Sequence, residues 1–172
     1  MTYVPKERHL TIDGHSIIIR PISPEDAELE DEFIDRLSPM TKYFRFLCGM
    51  NHIPEKLLKE FCEVDFDRTA AFIATTTQEG EEREIGVVRY AADTRPDVRE
   101  MAITVADEWQ KKGLGTLLAE QLIGFARELG IKKLYSIDLA GNSHMRALAD
   151  HLGMSVHRDP NDAHQVIYSL AL

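Results

Sequence analysis

Cysteine is scarce. Cys48 and Cys62 are the only two in 172 residues, which excludes a small scaffold stapled by disulfides and predicts two reduced thiols in a cytoplasmic protein. Long apolar runs are missing too. No segment approaches the ~20 residues that cross a bilayer, and Met1-Thr2-Tyr3-Val4-Pro5-Lys6 has no hydrophobic stretch behind its charge, so neither a membrane span nor a signal peptide is expected. Basic charge is in deficit: 20 Lys and Arg stand against 29 Asp and Glu, a formal charge of −9. That balance argues against a nucleic-acid partner. It either draws in cationic partners, such as a lysine-bearing protein surface or a polyamine, or serves solubility alone. Histidine occurs seven times, with His144 and His151 on one helical face and His157 and His164 beyond, but the spacing is not that of metal ligands. No metal site is expected.

What is present suffices for one core. With 172 residues and 44% hydrophobic content, the chain can bury roughly 70% of its unfolded surface. It shows no repeat, low-complexity tract or linker, so residues 1–172 form a single domain with 1–9 as a loose lead-in. A strand is predicted over 15–20 after the Asp13-Gly14 turn. Ser23-Pro24-Glu25-Asp26 starts a helix running to about Leu37. Helical turns follow near 41–47 and 54–64. Strands at 70–75 and 85–90 are joined through the charged segment 78–84 as a hairpin, and a third strand covers 100–105. An amphipathic helix from Leu114 to Leu129 stops at Gly130, a strand spans 134–139, a helix spans 143–152, and a strand spans 165–170. Strands in succession, then alternating with helices, give an α/β (α+β) domain with a mixed sheet and helices on both faces.

The most informative stretch is Gln110-Lys111-Lys112-Gly113-Leu114-Gly115-Thr116, between a strand and that long helix. Two glycines let the backbone approach an anion, the first helical N–H groups lack internal partners, and the helix dipole adds positive potential there. Lys111 and Lys112 add charge. The spacing does not fit a P-loop, which needs G-x-x-x-x-G-K-[ST]. A dinucleotide fingerprint would want a third glycine at Leu118, although Asp138 near the end of the next strand mimics the ribose-binding acid and keeps that rival open.

The Q-x-x-G-x-G pattern resembles the acetyl-CoA pyrophosphate loop of the GNAT superfamily of N-acetyltransferases. Arg20-Pro21-Ile22, Leu37-Ser38-Pro39, Tyr43-Phe44-Arg45-Phe46, Val64-Asp65-Phe66-Asp67-Arg68 and Glu100 extend the resemblance to the acetyltransferase domain of Pat-type bacterial protein lysine acetyltransferases. It implies a mainly antiparallel sheet, splayed between the strand ending near Val105 and the strand ending near Leu139. It also implies acetyl-CoA as co-substrate and a protein lysine as acceptor, a small amine being the alternative. Ile103 and Val105 would pair their backbone with the pantetheine, the Val105 amide would serve the oxyanion, and the 110–116 loop and Asn142 would hold the coenzyme.

A general base is needed because a lysine of pKa near 10.4 is protonated at neutral pH, and removing that proton costs about 4 kcal/mol. Glu100, ten residues before Gln110, stands where Pat-type enzymes carry their catalytic glutamate. The alternative is an ordinary strand acid, since Arg99 and Glu100 point to opposite faces. Asp138 either lines the amine channel or makes a structural hydrogen bond. Asn142 also reads as a helix cap. Tyr43, Phe44, Arg45 and Phe46 are candidates to line the substrate entrance, half-buried packing being the alternative for the aromatics. Two positions depart from many relatives: Ala149 stands where a tyrosine would protonate the leaving thiolate, and Asp107 where a proline would stiffen the loop. Neither cysteine lies in a nucleophile setting, so direct attack in a ternary complex is expected. A non-catalytic acyl-CoA sensor would need no base at Glu100.

Overall fold

The structure, a computed structural model, describes residues 5–172. The expected loose lead-in is a strand in part: β1 (Arg8–Ile12) pairs antiparallel with β2 (His15–Pro21), with Ile12 opposite His15. Met1 to Val4 lie outside the described residues. The turn between these strands is Asp13-Gly14, both at positive φ (49° and 78°), the geometry a two-residue hairpin requires.

Ser23 opens a short 3-10 turn, Pro24–Asp26, ahead of α1 (Ala27–Arg36). Asp26 binds the chain into this corner. It accepts from the Ser23 N–H (2.8 Å) and from both terminal nitrogens of Arg20 (2.8 and 2.7 Å). The next helices are α2 (Pro39–Phe46), capped by the Ser38 hydroxyl, and α3 (Glu55–Cys62). β3 (Thr69–Gln78) and β4 (Glu81–Ala92) form the expected hairpin, but the charged segment is mostly strand. Its turn is Glu79-Gly80 alone.

β5 (Val98–Val105), α4 (Leu114–Glu128), β6 (Lys133–Leu139), α5 (Ser143–Leu152), β7 (Ser155–Arg158) and β8 (Gln165–Ala171) complete the chain. β7 was not expected. All four of its residues are exposed, and it pairs only with β8 at the sheet edge. The eight strands run in the order β1-β2-β3-β4-β5-β6-β8-β7, antiparallel except for β5 and β6.

Helices cover both faces. On one, α4 presents Phe125 to Tyr90 at 6.3 Å and to Phe72 at 5.5 Å. Gly86 allows this approach, for a Cβ there would meet Leu118 Cδ1 at 2.9 Å. On the other, Arg89, next to Tyr90 in β4, reaches Glu30 of α1. The parallel pairing of β5 with β6 covers only Val98 to Glu100 against Lys133 to Tyr135. Beyond Glu100 the two strands separate. That separation makes the site.

Candidate active site

The diverging halves of β5 and β6 open a cleft of about 870 Å³, walled by residues 100–105, by Ser136 to Asp138, by α2 and α3, and by the loop entering α4. Its β5 edge carries free backbone groups. The Ala106 N–H bonds Ile85 O of β4 at 2.9 Å, so strand alternation turns the N–H and C=O of Val105 and Ile103 the other way, into the cleft. The Gln110 amide already donates to Val105 O (3.1 Å).

Glu100 lines the cleft and is exposed, at the last residue paired with β6. Its neighbour Arg99 is the structural one of the two. At 8% exposure, it donates to the carbonyls of Pro96 (2.7 Å) and Val98 (2.9 Å).

The loop into α4 brings Gln110, Lys111, Gly113, Gly115 and Thr116 to the cleft. Gly113 is the N-cap at φ 86°, a conformation costly for any residue with a Cβ. Gly115 differs: a Cβ there would meet Val105 and Leu148 only at 3.7 and 3.9 Å, ordinary contact. The first-turn N–H groups of α4 have no helical partners and face this end. Lys112 and Leu114 do not line the cleft. The Lys112 ammonium bonds Asp13 (2.6 Å), and the Leu114 side chain is buried in the core.

Asn142 caps α5, accepting from Met145 N–H (3.2 Å) and donating to Asp138 (3.1 Å) at the cleft wall. Asp138 therefore both makes the structural bond and lines the channel. Burial pushes its pKa up to about 6, against the hydrogen bonds from Asn142 and the Leu139 N–H. Ala149 is buried and does not line the cleft; no tyrosine does, among the described residues. Cys62 is buried with its thiol pushed up to about 11 by burial, so it is no nucleophile, and Cys48 is exposed.

One feature is invisible in the sequence pattern. Asp107, in the place of a stiffening proline, accepts from Ser38 N–H (2.9 Å), Ser38 Oγ (2.7 Å) and Thr41 Oγ1 (2.7 Å), anchoring the loop to α2. Phe44, Arg45 and Phe46 line the cleft as expected, while Tyr43 is exposed outside it. Among the described residues no group of three or more His, Cys, Asp or Glu is arranged around a common metal position, and no helix is long and apolar enough to cross a membrane.

Residues 16–155 match the family of the acetyltransferase (GNAT) domain. The acetyltransferase PA5475 of Pseudomonas aeruginosa is 43% identical over 160 residues, 93% of this chain and 86% of that protein. The acetyltransferase Pat of Mycolicibacterium smegmatis is 28% identical over 141 residues, 81% of this chain but only 41% of that longer protein. The crystal structure of the GNAT domain of S. lividans PAT superposes with a TM-score of 0.85 at 27% identity, covering 96% and 97% of the two chains. This chain belongs to the GNAT acetyltransferase family and is an acetyl-CoA-dependent acyltransferase.

Proposed function

We propose that the acceptor is a lysine side chain of a protein and that Glu100 is the base that deprotonates it. The observation that carries this reading is the placement of an exposed carboxylate where β5 and β6 part, inside the cleft, while its strand neighbour Arg99 is buried in structural bonds. The resemblance to Pat-type enzymes, the formal charge of −9 and the exposed Met40, Tyr43 and Leu47 along α2 support a cationic protein acceptor. Two free cysteines suit a reducing cytoplasm.

The residues fit acetyl-CoA as substrate. Gly113, Gly115, Thr116 and the first-turn N–H groups of α4 would take the pyrophosphate, with Lys111 adding charge. Ile103 and Val105 offer backbone partners to the pantetheine, and Asn142 lies on the facing wall. In the reaction the amine gives its proton to Glu100, directly or through water, and its nitrogen bonds the thioester carbon. The carbonyl oxygen gains charge beside the Val105 N–H. The nitrogen loses its remaining surplus proton to water, and the C–S bond breaks. A thiol of pKa near 8.5 leaves as thiolate without a tyrosine and takes a proton from solvent. Mass spectrometry of acetyl-lysine in cells with and without the protein tests the acceptor. Lysine sites that disappear with the protein support it, whereas an unchanged set beside a changed pool of free amines favours a small acceptor.

A further inference from the structure

We propose that Arg45 recognises a carboxylate on the acceptor, so that the amine acetylated lies close to a carboxylate of the same molecule. This rests on the reading of the cleft as an amine-acceptor site and narrows its substrate class.

Arg45 lies on the cleft wall, within the α2 segment that faces β5. Its guanidinium sits 5.0 Å from the Phe46 ring centre and 5.4 Å from that of Phe61, rings that fix it in place. Among the described residues nothing accepts a hydrogen bond or makes an ion pair with it. The adjacent cation behaves differently: Arg89 donates to Glu30 (2.9 Å) and to the Phe61 carbonyl (3.0 Å), and lies 4.1 Å from the Phe61 ring centre.

The charges behind the cleft make no ion pair with Arg45. Glu30 and Arg89 pair with each other. Glu84, at 0% exposure, is packed against Glu30, and burial together with Glu30 raises its pKa well above the ordinary range. Burial and Arg89 pull Arg45 down to about 10, against Glu30, Glu100 and Asp138, which still leaves it charged at neutral pH. Glu100 and Asp138, the other acids of the cleft, act on Arg45 through space without an ion pair, and Asp138 is bound to Asn142. The Thr104 hydroxyl, at the same wall, is buried without a partner.

A guanidinium held by aromatic rings, with its donors free, matches a carboxylate in planar fork geometry. A carboxylate beside the amine would pair with this guanidinium, while the amine itself is directed to Glu100. The carboxylate can be the α-carboxylate of a free amino acid or an acidic side chain flanking a lysine in a polypeptide.

The test measures binding, so that it does not depend on turnover. Protein saturated with CoA is titrated calorimetrically with Nε-acetyl-lysine and its amide, and with two hexapeptides whose acetyl-lysine is flanked by Glu or by Gln. The carboxylate member of at least one pair should bind roughly 10- to 100-fold more tightly than its neutral isostere. The pair that shows it names the source. Arg45→Met should erase the preference and Arg45→Lys should keep part of it. Equal binding within both pairs of the wild type overturns the proposal, as does no binding by any of the four, or a preference that survives Arg45→Met. Because the wild-type comparison stands alone, a variant that fails to fold does not protect the idea. Absence of acetyl transfer to lysine, with the carboxylate preference intact, would sink the lysine reading and leave this one standing.

Discussion

The carboxylate of Asp107 accepts from both the N–H (2.9 Å) and the hydroxyl (2.7 Å) of Ser38, across 69 residues of sequence. Through this clasp the loop entering α4, where coenzyme is proposed to bind, is tied to the start of α2, which walls the acceptor side. A proline at this position would stiffen the loop locally; the aspartate fixes it to a neighbour. Asp107→Ala should lower unfolding free energy by about 1–3 kcal/mol, the range for losing hydrogen bonds to a charged group. Burial opposes ionisation of Asp107, but its bonds from Ser38 and Thr41 hold the pKa below the ordinary carboxylate value. Its contribution is therefore complete above the unfolded pKa near 3.9 and fades as pH falls through the lower folded value. Urea titrations at pH 7 and at pH 3 check this: the gap between variant and wild type should narrow at the lower pH.

The two loop glycines should fail differently. Gly113 holds φ 86° with open space around its missing Cβ. Gly113→Val should cost about 1–2 kcal/mol of stability from strain, and acetyl-CoA affinity with it. Gly115→Ala should leave the melting temperature unchanged, since its Cβ would sit at 3.7 Å from Val105; Gly115→Val should weaken binding by obstructing the approach to the helix N-terminus. Lys111→Ala should cost only ~1 kcal/mol of binding. Calorimetric titration with acetyl-CoA, beside a thermal melt, separates these effects. Near-wild-type affinity in both valine variants would refute the pyrophosphate assignment.

The loop was legible in sequence because its chemistry is local: glycines, lysines and a helix start within seven residues. The Asp107 clasp and the charges around Arg45 were not, because they join α1, α2, β4 and the loop, and each charge looks like a solvated helix or strand face by itself. β1 was missed because only Ile12 of its five residues is buried, so pairing with β2, rather than any apolar alternation, makes the strand. β7 has no inward side at all. Likewise, Glu81 to Arg83 read as a polar loop, yet the Glu79-Gly80 turn and the ladder to β3 keep them in a strand. The splay could be inferred from the family resemblance, but its starting point at Glu100 could not.

Asp138 has its pKa raised to about 6, chiefly by burial. The unfolded chain gives up this proton near 3.9 and the folded chain near 6, so stability falls as pH rises between those values and is level above. Asp138→Asn keeps an acceptor for Asn142 and the Leu139 N–H while removing the charge. It should therefore stabilise the protein by roughly 2–3 kcal/mol at pH 8 and by little at pH 4. Thermal melts at the two pH values decide it, and equal effects at both would contradict the account.

Ala149 is 1% exposed, so a tyrosine side chain there would have to displace packed neighbours. Ala149→Tyr should destabilise by about 1–3 kcal/mol through overpacking and bring no gain in kcat. Rates between pH 6 and 10 for both proteins check this. A large gain in kcat would show that thiolate protonation limits the native enzyme.

The role of Glu100 is tested most directly by Glu100→Gln, measured for acetyl-CoA affinity by calorimetry and for kcat/KM with a free amine acceptor across pH. The isosteric amide should leave coenzyme affinity unchanged and reduce kcat/KM by roughly 10²–10⁴-fold, the range for loss of a general base. The residual rate should climb with pH as free amine becomes available without help. A rate and pH profile like those of the wild type would contradict Glu100 as the base.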